Sequence, residues 1–169
     1  MSITLVKVTK ANIDKLSKLK VSKEQKNYVA PIKQTISLGK IKNQIYNNEP
    51  ITYWLRAIKY KQYHVGIILL RLNVKPFLYK SSDYQPGAYL NRLMVATNVP
   101  GLEKTQGLGI GREAVLQAAS HAKSLGYKKL YSSYVIGQYS PKGFYKKLGF
   151  KETGKKIFRE GEKEIVLYL

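Results

Sequence analysis

The stretch of this chain best equipped for chemistry is Gln106-Gly107-Leu108-Gly109-Ile110-Gly111-Arg112. Tyr89 to Ala96, before it, reads as a strand. Glu113 to Leu125, after it, reads as an amphipathic helix. A glycine loop that opens a helix makes an anion site. The first-turn N–H groups lack partners, point outward and carry the positive end of the helix dipole. Glycine lets the backbone approach a phosphate closely and take positive φ. The chain is therefore expected to bind a phosphorylated cofactor here. The spacing excludes two common phosphate loops. A dinucleotide fingerprint needs glycine at the sixth place from the first, and position 112 is arginine. A Walker loop needs Gly-Lys-Ser/Thr, which does not follow.

A second group lies downstream in Ser140-Pro141-Lys142-Gly143-Phe144-Tyr145-Lys146-Lys147-Leu148-Gly149-Phe150. It contains Phe-Tyr-x-x-Leu-Gly-Phe on a short helix, with Gly149 as its left-handed cap. Between the two groups, Leu130 to Val135 alternates like a strand. With Gln106-x-x-Gly109-x-Gly111, this order of strand, glycine loop, helix, strand, helix and hairpin resembles the GNAT superfamily of N-acetyltransferases. The resemblance runs over most of the chain.

The resemblance implies acetyl-CoA as cofactor. Its pyrophosphate would be cradled by the backbone at Gln106, Gly107, Leu108, Gly109, Ile110 and Gly111, with Arg112 and Lys104 offsetting charge. Leu93, Met94 and Val95 correspond to the strand that pairs with pantetheine amides. Tyr145 takes the place of the general acid that protonates the departing thiolate. A phenol suits that role, because its pKa of ~10 is near that of the thiol. Leu19 to Ala30 is similar to the opening segment of bacterial spermine/spermidine acetyltransferases, which implies a polyamine or other small primary amine as acceptor. Homodimers are common in the superfamily and are an expectation here.

Three departures from the family pattern stand out. Some relatives carry a glutamate base on the strand before the glycine loop, where this chain has Asn91, which cannot serve. Glu24, Asp83 and Glu103 are the candidate bases, with His64 and His121 read as structural and polar-face residues. Gln138 stands where many relatives have asparagine, and is expected to touch CoA. The link from Ala96 to Thr105 is longer than usual. It could cover the cofactor, shape the acceptor pocket, or be a flexible insertion.

Composition bounds the rest. At 169 residues the chain is read as one domain over 1–169. No apolar run approaches a membrane span, and the N-terminus lacks a signal-peptide core, so a cytoplasmic enzyme is expected. The absence of cysteine removes disulfide and thiolate chemistry. Neither of the two histidines has metal-ligand spacing, so no metal site is expected. Thirty Lys+Arg face ten Asp+Glu, for a net charge of +20. Such a charge could attract nucleic acid or ribosomes, which leaves acetylation of an RNA-linked or ribosomal amine, or RNA binding without catalysis, as alternatives. The lysines are scattered rather than clustered, which fits a composition bias.

The elements that must hold these residues follow from periodicity. Ile3 to Val8 reads as a strand. Asn12 is a candidate N-cap for a helix over 13–20, with Asp14 in its first turn. A second helix is expected from Thr35 or Ser37 to about Asn47. Ile51 to Tyr60 and His64 to Leu72 form a hairpin turning at Lys61-Gln62. Asn73 to Gly87, with Pro76 and Pro86, is a loop. Lys151 to Arg159 and Lys163 to Leu169 form a closing hairpin around Glu160-Gly161-Glu162. This gives an α/β (α+β) domain with a central mixed sheet. The resemblance adds a mostly antiparallel sheet, splayed between its fourth and fifth strands where the pantetheine arm sits.

Overall fold

The computed structural model describes residues 2–40, 44–46, 49–74, 87–156 and 161–169. The elements are β1 (Ile3–Lys7), α1 (Lys10–Ser17), α2 (Ile32–Gly39), β2 (Gln44–Tyr46), β3 (Glu49–Tyr60), β4 (Tyr63–Val74), β5 (Gly87–Val95), α3 (Ile110–Ser124), β6 (Lys129–Val135), α4 (Lys142–Lys147), β7 (Lys151–Lys156) and β8 (Glu162–Tyr168). One sheet runs β1-β3-β4-β5-β6-β8-β7, with β2 added beside β3. Among the described residues, every strand pairing is antiparallel except β5 with β6.

The centre of the sheet is β4. Val65, Ile67, Ile68, Leu69 and Leu70 are fully buried, so both faces of this strand are covered. Such a run reads as continuous apolar sequence rather than alternation. α3 packs on the face that carries Trp54, where the His121 ring stacks at 4.4 Å. α2 lies on the opposite face, where a Cβ on Gly39 would fall 2.6 Å from Leu55.

Gly66 sits where β4 meets β5, opposite Val95. A Cβ there would lie 2.2 Å from the Met94 carbonyl oxygen. That atom is backbone and cannot swing away. Gly66→Ala is therefore expected to destabilise the protein by about 2–3 kcal/mol through overpacking. Urea unfolding would measure it.

Two expectations on helices are corrected. Thr9, not Asn12, is the N-cap of α1. Asn12 is its third residue, accepts a hydrogen bond from the Thr9 N–H at 2.8 Å, and donates to the Lys7 carbonyl at 2.9 Å. Asp14 thereby falls beyond the first turn. α2 starts at Ile32 after Pro31 and stops at Gly39. Ile32, Thr35 and Ile36 form its buried face, an i, i+3, i+4 stripe that begins before Thr35. Gln44–Tyr46, expected as helix, is strand paired with Glu49 to Ile51. Asn47, Pro76, Asp83, Pro86, Arg159 and Glu160 lie outside the described residues.

Candidate active site

β5 and β6 pair only at Ala88 with Leu130 and Tyr89 with Tyr131. β5 then runs on to Val95 and β6 to Val135 with no further pair between them. The sheet is splayed here, between its fifth and sixth strands, because β2 adds one to the expected count. A bulge sharpens the divergence. Leu69 of β4 opposes Arg92 and Leu70 opposes Leu90, which leaves Asn91 as the extra residue. Bulges bend a strand and re-aim its side chains. Ser132 Oγ bridges the mouth of the splay by donating to the Leu90 carbonyl at 2.9 Å. The opening leads into a cavity of about 620 Å³, whose lining includes Leu93, Met94, Ser132 and Tyr145.

The glycine loop stands beyond the end of β5. Gly107 and Gly109 have φ of 76° and 72°. Gly109 is the N-cap of α3, and no side chain caps the helix. Ile110, Gly111 and Arg112 are its first three residues, so their N–H groups have no intrahelical acceptor. A Cβ on Gly107 would lie 4.0 Å from Lys104 Nζ, which puts an ammonium beside the loop. Arg112 is exposed on the first turn of α3. A Cβ on Gly111 would meet Phe144 at 3.4 Å and Val95 at 3.7 Å, so loop, α4 and the end of β5 converge.

Tyr145 is held by the way its short helix ends. Gly149 has φ 90°. The Phe150 N–H donates to the Tyr145 carbonyl and the Gly149 N–H to the Lys146 carbonyl, at 3.1 and 3.0 Å. These two bonds are a Schellman motif, and its usual hydrophobic contact joins the rings of Tyr145 and Phe150 at 5.3 Å. Phe144 packs on the other side at 5.2 Å. The spacing Tyr-x-x-Leu-Gly-Phe thus fixes one ring. Burial pushes the Tyr145 phenol above its ordinary pKa, offset in part by a hydrogen bond with Ser132. It stays protonated at neutral pH.

The far wall comes from β8. Glu162 pairs with Val135 and Glu164 with Ser133. Both line the cavity. Glu162 accepts a hydrogen bond from Ser133 Oγ. Glu164 is only 4% exposed and accepts one from Thr153 Oγ1 at 2.9 Å. Burial raises the Glu164 pKa. Tyr89 is raised by burial too, hydrogen bonds with Ser133, and is pushed further by the nearby Glu162 and Glu164 carboxylates. Tyr89, Tyr145 and the acidic wall line one cavity.

Residues 20–150 match the acetyltransferase (GNAT) family. The chain belongs to that family. No curated protein sequence matches significantly. Among solved structures, an acetyltransferase from Thermus thermophilus is 17% identical with a TM-score of 0.61, covering 100% of this chain and 98% of that one. A GNAT family acetyltransferase from Elizabethkingia anophelis, with acetyl-CoA bound, is 21% identical with a TM-score of 0.53, covering 99% and 97%. The PaiA N-acetyltransferase of Thermoplasma acidophilum, in complex with coenzyme A, is 15% identical with a TM-score of 0.59, covering 100% of both chains. At these identities the likeness is one of fold.

Within this GNAT fold, several expected site residues stand apart from the cavity. Glu24 and Glu103 are exposed and do not line it, and Asp83 lies outside the described residues. His64 is half-buried, its pKa lowered by burial and then by Lys15 and Lys59. His121 is packed on Trp54 rather than on a free polar face, its pKa lowered by burial and then by Arg56. Gln138 is exposed in the turn between β6 and α4 and does not line the cavity. Asn91 does line it, with a buried Oδ1 that has no hydrogen-bond partner among the described residues. The 96–105 link is tied down rather than loose. Asn98 bridges to Lys20, Val99 is in the core, and Thr105 Oγ1 donates to the Ala96 carbonyl. No helix among the described residues is long and apolar enough to cross a membrane.

Sequence reasoning missed Glu162 and Glu164. Their spacing of two on a strand was a usable signal, since it puts both on one face.

Proposed function

We propose that this GNAT chain transfers the acetyl group of acetyl-CoA to the primary amine of a small molecule. The observation that carries the reading is a cavity passing through the splayed sheet, with Tyr145 at one side and Glu162 and Glu164 at the other. The chain's residues fit the cofactor. Left-handed glycines and an uncapped helix start suit a pyrophosphate. The edge of β5 beyond Tyr89, unpaired with β6, suits an extended arm that carries amides. When bound, acetyl-CoA supplies an activated acyl thioester. The loop amides and Lys104 hold its phosphates, and β5 orients its arm. Tyr145 keeps a proton at its phenolic oxygen, available to a leaving thiolate. Segment 26–31, with Gln34 and Thr35 of α2, completes the cavity lining.

Glu164 is the group placed to take the amine proton. Its raised pKa makes it a stronger base than an exposed carboxylate. The same burial has a stability consequence. The folded pKa lies above the unfolded value of 4.5, so the folded state disfavours the charge. The penalty is complete above the folded pKa and vanishes as pH falls below 4.5. Glu164→Gln is expected to lower turnover while raising the unfolding temperature at pH 7. The stability gain should disappear in thermal scans below pH 4.5.

The acidic wall supports an acceptor whose amine arrives protonated. Mass spectrometry after incubation with acetyl-CoA tests the function. The panel should include spermidine, spermine, lysine, aminoglycosides and a lysine-rich peptide. An N-acetylated small amine is the expected product. Acetylation of the peptide alone would refute the small-molecule reading.

A further inference from the structure

The cavity is polarised. The registers that place its acidic wall also place a cationic one. Arg71 pairs with Tyr89 on β5, and Tyr89 pairs with Tyr131 on β6. Ser133 is two residues beyond Tyr131 and pairs with Glu164. Directly paired residues share a face, and residues two apart on a strand do as well. Arg71, Tyr89, Ser133 and Glu164 therefore stand on one face of the sheet, and Glu162 joins them. Arg92 joins them through the bulge, because its partner Leu69 is two residues from Arg71 on β4. Arg71 and Arg92 both line the cavity. The Arg71 guanidinium lies over the Tyr53 ring at 5.8 Å, which holds it on this face. Lys26 adds a third cation to the lining from segment 26–31.

A polyamine carries only positive groups. It would be drawn to β8 and repelled by β4 and β5. A small amino acid has the matching polarity, with an ammonium for the carboxylates and a carboxylate for a guanidinium fork. The cavity is within the ~300–1,000 Å³ common for small-molecule sites. Asn91 Oδ1, at the bulge between the two walls, is a buried acceptor for an amine N–H.

We propose that the acceptor is a small amino acid, its amine held toward Glu162 and Glu164 and its carboxylate toward Arg71 and Arg92. This rests on the acetyltransferase reading above. The test uses matched twins with and without the carboxylate: lysine and cadaverine, ornithine and putrescine, phenylalanine and phenethylamine, alanine and ethylamine. Thiol release from acetyl-CoA gives kcat/KM for each, and calorimetry gives acetyl-CoA affinity separately. At least one α-carboxylate member should exceed its twin by on the order of tenfold, the scale of one charge-assisted hydrogen bond. Arg71→Gln or Arg92→Gln should shrink that ratio several-fold, chiefly through KM. Twins that are equal or inverted, or all inactive while acetyl-CoA still binds, overturn the proposal. So does a ratio that neither arginine variant changes. Failure to bind acetyl-CoA would instead sink the acetyltransferase reading itself.

Discussion

Gly109→Asp is expected to abolish acetyl-CoA binding while leaving the fold in place. The residue is the N-cap of α3 at φ 72°. Aspartate is among the few non-glycine residues that visit this region routinely, so the strain is modest. Its carboxylate would stand at the mouth of the uncapped first turn, where a phosphate belongs. Two like charges ~4 Å apart repel by about 4 kcal/mol at an effective dielectric of ~20. Affinity should therefore fall by on the order of 100-fold or more. Calorimetry would read the loss, with circular dichroism as the control for folding. An affinity within about threefold of the parent, a difference below ~1 kcal/mol, would remove the loop from the site.

Tyr145→Phe carries the second large effect. Phenylalanine keeps the ring contacts to Phe144 and Phe150 and the Schellman end of α4. It removes only the hydroxyl and its bond with Ser132. Loss of a positioned general acid costs ~10²–10⁴ in rate, so kcat should fall by about that much, with KM for acetyl-CoA nearly unchanged. Because burial lifts the phenol above its ordinary pKa of 10, the parent enzyme should keep its proton donor throughout neutral pH. Unchanged kcat in the variant would take Tyr145 out of the mechanism.

The parts of this site visible in the sequence are those built from local rules. Gly107 and Gly109 announce positive φ, and Gly149 announces a left-handed helix end. Phe150 two residues after the α4 C-cap is the contact that a Schellman end requires. Each depends on a few neighbours in the chain. The missed parts depend on partners far away. The start of α2 is set by which stripe packs on β3, and its end by Leu55 against Gly39. The bulge at Asn91 exists only in the pairing of β5 with β4. Glu162 and Glu164 sit among lysines in a hairpin that reads as solvated surface. Only the register with β6 turns them inward. Asn98 and Val99 read as loop because their anchors are Lys20 and the core.

The central claim is that the splay and the glycine loop form one cofactor site. Amide hydrogen exchange with and without acetyl-CoA tests it most directly. Slowed exchange is predicted in two separate segments at once, 91–95 of β5 and 107–112 of the loop and first turn of α3. Protection confined to other segments, or none at saturating acetyl-CoA, would contradict the account.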